Sequence, residues 1–149
     1  VRQMTRELPS VQIALDLPPS LPVVSGEATY VEQILRNLLE NAAKYSPAGT
    51  SVRVSAEHVD GDVVIAVLDD GPGISASSID HLFDLFYRDP GMARTVAGSG
   101  IGLFICRNLA EAMGGHMVAG RGPNGGARFA FSLPVLSGDE GDSAGDPSR

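Results

Sequence analysis

Polar side chains recur along one predicted helix at a spacing that could bind phosphate and a metal ion. Asn37, Asn41 and Lys44 are spaced i, i+4 and i+7, so they share an arc of roughly 60° on a helix. Asparagine carbonyls suit Mg²⁺, a hard cation that bridges phosphates, and the lysine ammonium suits phosphate oxygens. Taken alone, the stripe is better explained as a half-exposed helix face with solvated polar side chains.

Two glycine-rich motifs follow the predicted helix, DDGPGI at 69–74 and GSGIGL at 98–103. Glycine lets a base or a phosphate approach the backbone more closely than a Cβ would allow. The second motif opens an amphipathic stretch, and the N-terminal amides of a helix can bind phosphate. Neither motif fits a P-loop or a Rossmann turn. The irregular segment between them predicts a lid over a ligand, at about residues 75–99.

The elements that must position these motifs follow from hydrophobic periodicity and turn signals. The predicted strands are 11–17, Ser51–Val59, Val63–Leu68, 116–119 and 127–133, and the predicted helices are 26–44, a short one within 75–86, and 100–113. A hairpin turn at Asp60-Gly61-Asp62 joins the second and third strands. The order predicts an α+β fold: a two-layer α/β sandwich, with a mixed, mostly antiparallel sheet of about five strands and about three helices on one face.

Length and composition are those of one globular domain, which we predict over residues 1–136. Residues 137–149 are rich in Gly, Ser and Asp, and we expect them to form a disordered acidic tail. The net charge of −7 and the absence of a Lys/Arg stripe disfavour nucleic-acid binding. The single cysteine, Cys106, fits a core position in a reducing, cytoplasmic compartment. We expect a processed or excised fragment that is monomeric by itself.

Four motifs in sequence order resemble the catalytic, ATP-binding domain of sensor histidine kinases. They are NLLENAAKYSP (37–47), VLDDGPGI (67–74), LFDLFYR (82–88) and GSGIGL (98–103). Such domains have the Bergerat-type fold and belong to the superfamily shared with DNA gyrase, Hsp90 and MutL. The resemblance implies ATP and Mg²⁺ as the bound species, and a cytoplasmic domain of a parent protein that can be membrane-anchored.

The resemblance also implies roles for residues around the base. Asp69 would accept a hydrogen bond from the adenine amino group, and a carboxylate there would repel the O6 acceptor of guanine. Gly71 and Gly73 would let the backbone approach the base. Ile74 would line the base pocket, and Tyr45 would pack beside the nucleotide.

At the phosphate end, the resemblance implies Asn41 as the magnesium ligand and Asn37 as a further ligand to metal or phosphate. Lys44 and a lid arginine, Arg88, would position the phosphates, so these two are the candidates for phosphate positioning in catalysis. The second glycine motif would contribute backbone contacts from six residues: Gly98, Ser99, Gly100, Ile101, Gly102 and Leu103.

Position 37 separates the reactions within the superfamily. Relatives that hydrolyse ATP place a glutamate four residues before the metal-binding asparagine, where it acts as general base. Asn37 cannot accept a proton at neutral pH, so the sequence predicts transfer of the γ-phosphoryl group to a histidine on a separate dimerisation and phosphoacceptor domain, with a response regulator downstream. His58, His81 and His116 do not lie in a phosphoacceptor pattern, so the fragment alone should not autophosphorylate. The alternatives are a regulatory nucleotide-binding module without transfer activity and a stand-alone ATPase.

Overall fold

The computed structural model describes residues 12–47, 49–85, 87 and 101–136. Its elements in chain order are β1 (Gln12–Asp16), α1 (Ala28–Tyr45), β2 (Ser51–Val59), β3 (Asp62–Leu68), α2 (Ala76–Ile79), α3 (Gly102–Ala112), β4 (His116–Arg121) and β5 (Ala127–Pro134). The five strands form one sheet in the order β1-β2-β3-β5-β4. Only the β1–β2 pair is parallel among them. The predicted mixed, mostly antiparallel sheet is therefore confirmed.

The core lies between one face of the sheet and the helices α1 and α3. Helix α1 buries Ile34, Leu38, Leu39 and Ala42, and α3 buries Cys106 and Ala110. On the sheet, alternate residues such as Val52, Val67 and Phe131 are buried against them, as the two-residue period of a strand requires. We call the opposite face of the sheet, which includes Arg53, Leu68 and Arg128 in one register row, the outer face.

Helix α1 begins without a side-chain cap. Its N-cap residue, Glu27, makes no side-chain capping bond. Instead, the Glu27 N–H donates to Met113 Sδ at 3.3 Å, and Met113 is the residue at which α3 ends. This contact ties the start of α1 to the end of α3. The predicted stop signal of α3 is confirmed, since Gly114 has φ +85° and adopts the left-handed conformation that commonly follows a helix.

Two predicted helices are wrong in extent. Helix α3 begins at Gly102 and not at Gly100, and the helix predicted within 75–86 ends at Ile79. Residues 80–85 form successive turns, in which His81, Asp84 and Tyr87 each donate a backbone bond to the residue three positions earlier. These turns bury Leu82 and Phe83 without a helix, which explains why the apolar spacing was misleading.

The alternation of apolar and polar residues in the first strand predicts one buried face, and this is wrong for most of its residues. Only Ile13 is partly buried, while Leu15 is 50% exposed. The reason is position, because β1 is an edge strand that pairs with β2 alone. Separately, no helix within the described ranges is long and apolar enough to span a membrane.

The thiol of Cys106 is a core group, as the sequence predicts. It is fully buried, and this burial raises its pKa to about 12, against smaller lowering effects of hydrogen bonds from Asn37 and the backbone. The unfolded chain would ionise the thiol near pH 9, whereas the folded chain would keep it neutral.

The contribution of Cys106 to stability should therefore be complete below pH 9 and be lost as pH rises from 9 to about 12. We expect the free energy of unfolding, measured with urea, to fall more steeply over that range in the wild type than in Cys106→Ala. Parallel pH profiles for the two proteins would show that the thiol does not ionise differently in the two states.

Candidate nucleotide-binding site

Asp69 follows β3 directly and is almost completely buried, with 7% of its surface exposed. Its Oδ1 accepts hydrogen bonds from the backbone N–H of Gly71 at 2.9 Å and of Ala127 at 3.0 Å. Its own N–H donates to the Ala127 carbonyl at 3.0 Å. Among the described residues, both donors to the carboxylate use Oδ1, so the second oxygen, Oδ2, remains to accept a hydrogen bond from a ligand. The orientation of the carboxylate is thus fixed by backbone groups.

The glycines around Asp69 are positions of close backbone approach. A Cβ on Gly71 would lie 2.6 Å from the Tyr45 carbonyl oxygen, and one on Gly73, where φ is +82°, would lie 2.5 Å from the Gly125 carbonyl oxygen. A Cβ on Gly126 would overlap the Asp69 carbonyl. The end of α1, the first glycine motif and the β4–β5 turn therefore meet beside Asp69, with their backbones too close together to admit a Cβ at these positions.

The polar stripe of α1 lies where its sequence position predicts, at the edge of the buried face. Asn37 and Asn41 are half-buried, and Lys44 is exposed. The Cys106 thiol on α3 donates to the Ile34 carbonyl of α1 at 3.9 Å, and Asn37 is close enough to lower the pKa of that thiol, so the stripe begins beside α3. Lys44 precedes Tyr45, whose carbonyl packs against Gly71. The C-terminal end of the stripe is thus beside the first glycine motif.

The second glycine motif is described only in its last three residues. Ile101 is the N-cap residue of α3 and Gly102 is its first residue, so Gly102 lies in the first turn of the helix. Leu103 packs partly buried against the core. A Cβ on Gly102 would have no neighbour within 4 Å. Gly98, Ser99, Gly100, Arg88, the rest of the predicted lid after position 87 and the tail 137–149 lie outside the described residues.

Other predicted residues near Asp69 have the expected exposure. Ile74 is buried in the core beside the first glycine motif, and Tyr45 is half-buried. Asp70, the neighbour of Asp69 in the sequence, is exposed. Two residues beside Asp69 were not predicted from the sequence, Gly126 and Ala127. Ala127 is 58 positions away in the sequence, and its N–H donates to Asp69 Oδ1. The run GPNGGA at 122–127 was the available signal.

The chain matches a known family over most of its length. Residues 26–137 match the family of histidine kinase-, DNA gyrase B- and HSP90-like ATPases. The chain belongs to this family. This ATPase-family domain is similar to the signal transduction histidine-protein kinase BaeS of Escherichia coli (strain K12), with 36% identity over 126 residues that make up 84% of the chain and 27% of BaeS.

Solved structures agree with the family assignment. A mycobacterial sensor histidine kinase, MprB, superposes with a TM-score of 0.76 at 26% identity, covering 89% of the chain and 87% of the MprB chain. Full-length ShkA, solved in complex with AMPPNP, superposes with a TM-score of 0.72 at 30% identity, covering 90% of the chain and 29% of ShkA. The ATPase-family domain therefore has the fold of histidine kinase catalytic domains. It spans 15% to 34% of the length of the first curated relatives that it matches.

Proposed function

We propose that this ATPase-family domain binds Mg-ATP and donates the γ-phosphoryl group to a histidine on a separate dimerisation and phosphoacceptor domain. The parent protein would be a two-component sensor kinase, which phosphorylates a response regulator. The observation that carries the proposal is the Asp69 carboxylate, which is buried and fixed through Oδ1 with Oδ2 left to a ligand. The naming of BaeS and MprB as histidine kinases supports it.

At the base end, the chemistry of Asp69 favours adenine. Adenine carries an amino group at the position where guanine carries the O6 acceptor. A carboxylate oxygen can accept a hydrogen bond from the amino group but repels O6. At Gly71 and Gly73 the backbone passes so close to the Tyr45 and Gly125 carbonyls that a Cβ would clash, which holds the first glycine motif in place beside Asp69. Ile74 and Tyr45 would supply apolar contact to the base.

At the phosphate end, the residues fit a magnesium ion that is bound together with phosphates. Mg²⁺ takes few protein ligands when it bridges phosphates, because it keeps several waters. In the described ranges, no cluster of three or more His, Cys, Asp or Glu side chains could hold a metal by itself. Asn41 would coordinate the ion, which neutralises phosphate charge when bound. Lys44 and Arg88 would orient the phosphates, with backbone amides of Gly98, Ser99 and Gly100 beside them.

The same proposal includes the limits of the domain, its cellular compartment and its oligomeric state. Residues 1–136 would form the ATP-binding domain, residues about 75–99 would form the lid, and residues 137–149 would remain a disordered acidic tail. The domain would act in the cytoplasm, be monomeric by itself, and meet its phosphoacceptor domain within the parent protein.

Asn41→Ala should remove the dependence of nucleotide affinity on Mg²⁺, because the amide oxygen would be the protein ligand of the ion. The measurement is calorimetric titration with AMPPNP, with and without Mg²⁺, for the wild type and the variant. Glu40→Ala, on the adjacent exposed position, is the matched control and should keep the magnesium dependence. An unchanged magnesium effect in Asn41→Ala would exclude Asn41 as the ligand.

A second candidate function is a stand-alone ATPase, which the family includes. Asn37 disfavours it, because an amide cannot act as general base. We expect the chain alone to release inorganic phosphate no faster than about one turnover per hour, far below the typical enzyme range of roughly 1–1000 per second. A phosphate-release assay with Mg-ATP measures this, and rapid turnover would favour the ATPase.

A further inference from the structure

A cavity opens on the outer face of the sheet, behind Asp69. Its volume is about 140 Å³. It is lined by residues of β1, β2, the end of β3 and the β4–β5 turn. The lining residues that the argument uses are Arg53, Leu68, Asp69, Asp70, Pro123 and Asn124. Arg53 and Leu68 are register partners, and their neighbours Val52, Val54 and Val67 are buried toward the helices. The cavity is therefore separated from α1 and α3 by the sheet itself.

Charges of both signs line this cavity. Arg53 and Asp70 are exposed, and within the described part of the chain neither side chain takes part in an ion pair. Leu68 and Pro123 contribute apolar surface, and Asn124 contributes an amide. A ligand that carries both charges can bond with both groups at once, whereas a ligand with one charge can bond with only one of them.

We propose that the outer-face cavity binds a small zwitterion of the α-amino-acid type. The carboxylate of the ligand meets the Arg53 guanidinium, its ammonium meets the Asp70 carboxylate, and its side chain packs against Leu68 and Pro123. The size fits, because a cavity of roughly 150 Å³ holds a benzene-sized molecule. L-alanine and L-valine are of this size and carry both charges.

The cavity is connected to the adenine site through the β4–β5 turn. Gly125 N–H donates to the Gly122 carbonyl at 3.1 Å and Gly122 N–H to the Gly126 carbonyl at 2.7 Å, which closes the turn that carries Asn124. The next residue, Ala127, donates to Asp69 Oδ1. A ligand packed against Pro123 of this turn therefore orders the segment that orients Asp69, and each ligand raises the affinity of the other by the same factor. This coupling, unlike the binding itself, rests on the proposed role of Asp69.

The experiment is an NMR titration of the ¹⁵N-labelled chain with L-alanine and L-valine, with acetate and ethylammonium as controls that carry one charge each. We expect saturable shifts of the Asp70, Gly122 and Asn124 amides with at least one zwitterion and non-saturating shifts with the controls. Arg53→Gln and Asp70→Asn should each weaken binding roughly tenfold. Arg128→Gln is the matched control, since Arg128 is beside Leu68 on the same face and does not line the cavity.

Two results would overturn the proposal: no saturable shift with either zwitterion, or equal saturation by acetate. A repeat titration with AMPPNP should show roughly threefold tighter nucleotide binding at saturating zwitterion, and an unchanged nucleotide affinity would contradict the coupling. Zwitterion binding in a chain that binds no nucleotide would support the cavity and contradict the proposed function, so the two failures are distinguishable.

Discussion

Replacing Asp69 with asparagine should weaken the affinity for AMPPNP by at least roughly 30-fold, the loss that accompanies an unmatched buried polar group. Oδ1 accepts hydrogen bonds from Gly71 and Ala127. If the asparagine keeps its oxygen at that position, its NH₂ group replaces Oδ2 and faces the adenine amino group, donor against donor. If the amide flips, the backbone bonds are lost instead. Neither orientation satisfies both the protein and the base.

Calorimetric titration with AMPPNP measures this prediction, and thermal unfolding checks that the variant is folded. The matched control is Asp70→Asn, which makes the same chemical change at the neighbouring exposed position. We expect its affinity to stay within about twofold of the wild type, because a solvated carboxylate that does not meet the base contributes little. Equal affinities for Asp69→Asn and the wild type would remove Asp69 from the recognition of adenine.

Gly126→Ala should lower both stability and nucleotide affinity. A Cβ at this position would overlap the Asp69 carbonyl and lie 3.0 Å from Asp69 Oδ1. The backbone must therefore move apart at the point where β5 begins, and overpacking of this kind costs roughly 1–3 kcal/mol. The same movement pulls the Ala127 N–H away from the carboxylate that it orients.

Urea unfolding and AMPPNP titration on the same preparations measure the two effects. Gly120→Ala is the matched control, because a Cβ there meets no atom within 4 Å and the residue belongs to the adjoining strand β4. We expect Gly120→Ala to retain wild-type affinity. If Gly126→Ala loses stability but binds nucleotide normally, the β4–β5 turn supports the fold without orienting Asp69.

Features that depend on neighbouring residues were predictable from the sequence. The β2–β3 hairpin was read from its turn, where Asp60 adopts φ 54°, a conformation that aspartate tolerates. The polar edge of α1 followed from helical periodicity alone, and Asn37 and Asn41 are indeed half-buried. The same local rules gave the end of α3 at Gly114-Gly115.

Features that depend on distant segments were not predictable. The orientation of Asp69 is set by Ala127 through its backbone N–H, and a backbone group leaves no residue-type signal. The hydrogen bond from the Cys106 thiol to the Ile34 carbonyl depends on how α1 packs against α3, which periodicity does not specify. The exposure of Leu15 follows from the strand order, which places β1 at an edge. In each case the missing information is tertiary pairing.

The most direct test of the central claim is a transfer assay in trans. The chain is incubated with γ-radiolabelled ATP, Mg²⁺ and the phosphoacceptor domain of its parent kinase as a separate polypeptide. We predict label on a histidine of that domain, detectable as an acid-labile and base-stable phosphate, with none on the chain alone and none with Asp69→Asn. Nucleotide binding without any transfer, or release of inorganic phosphate in place of transfer, would contradict the account.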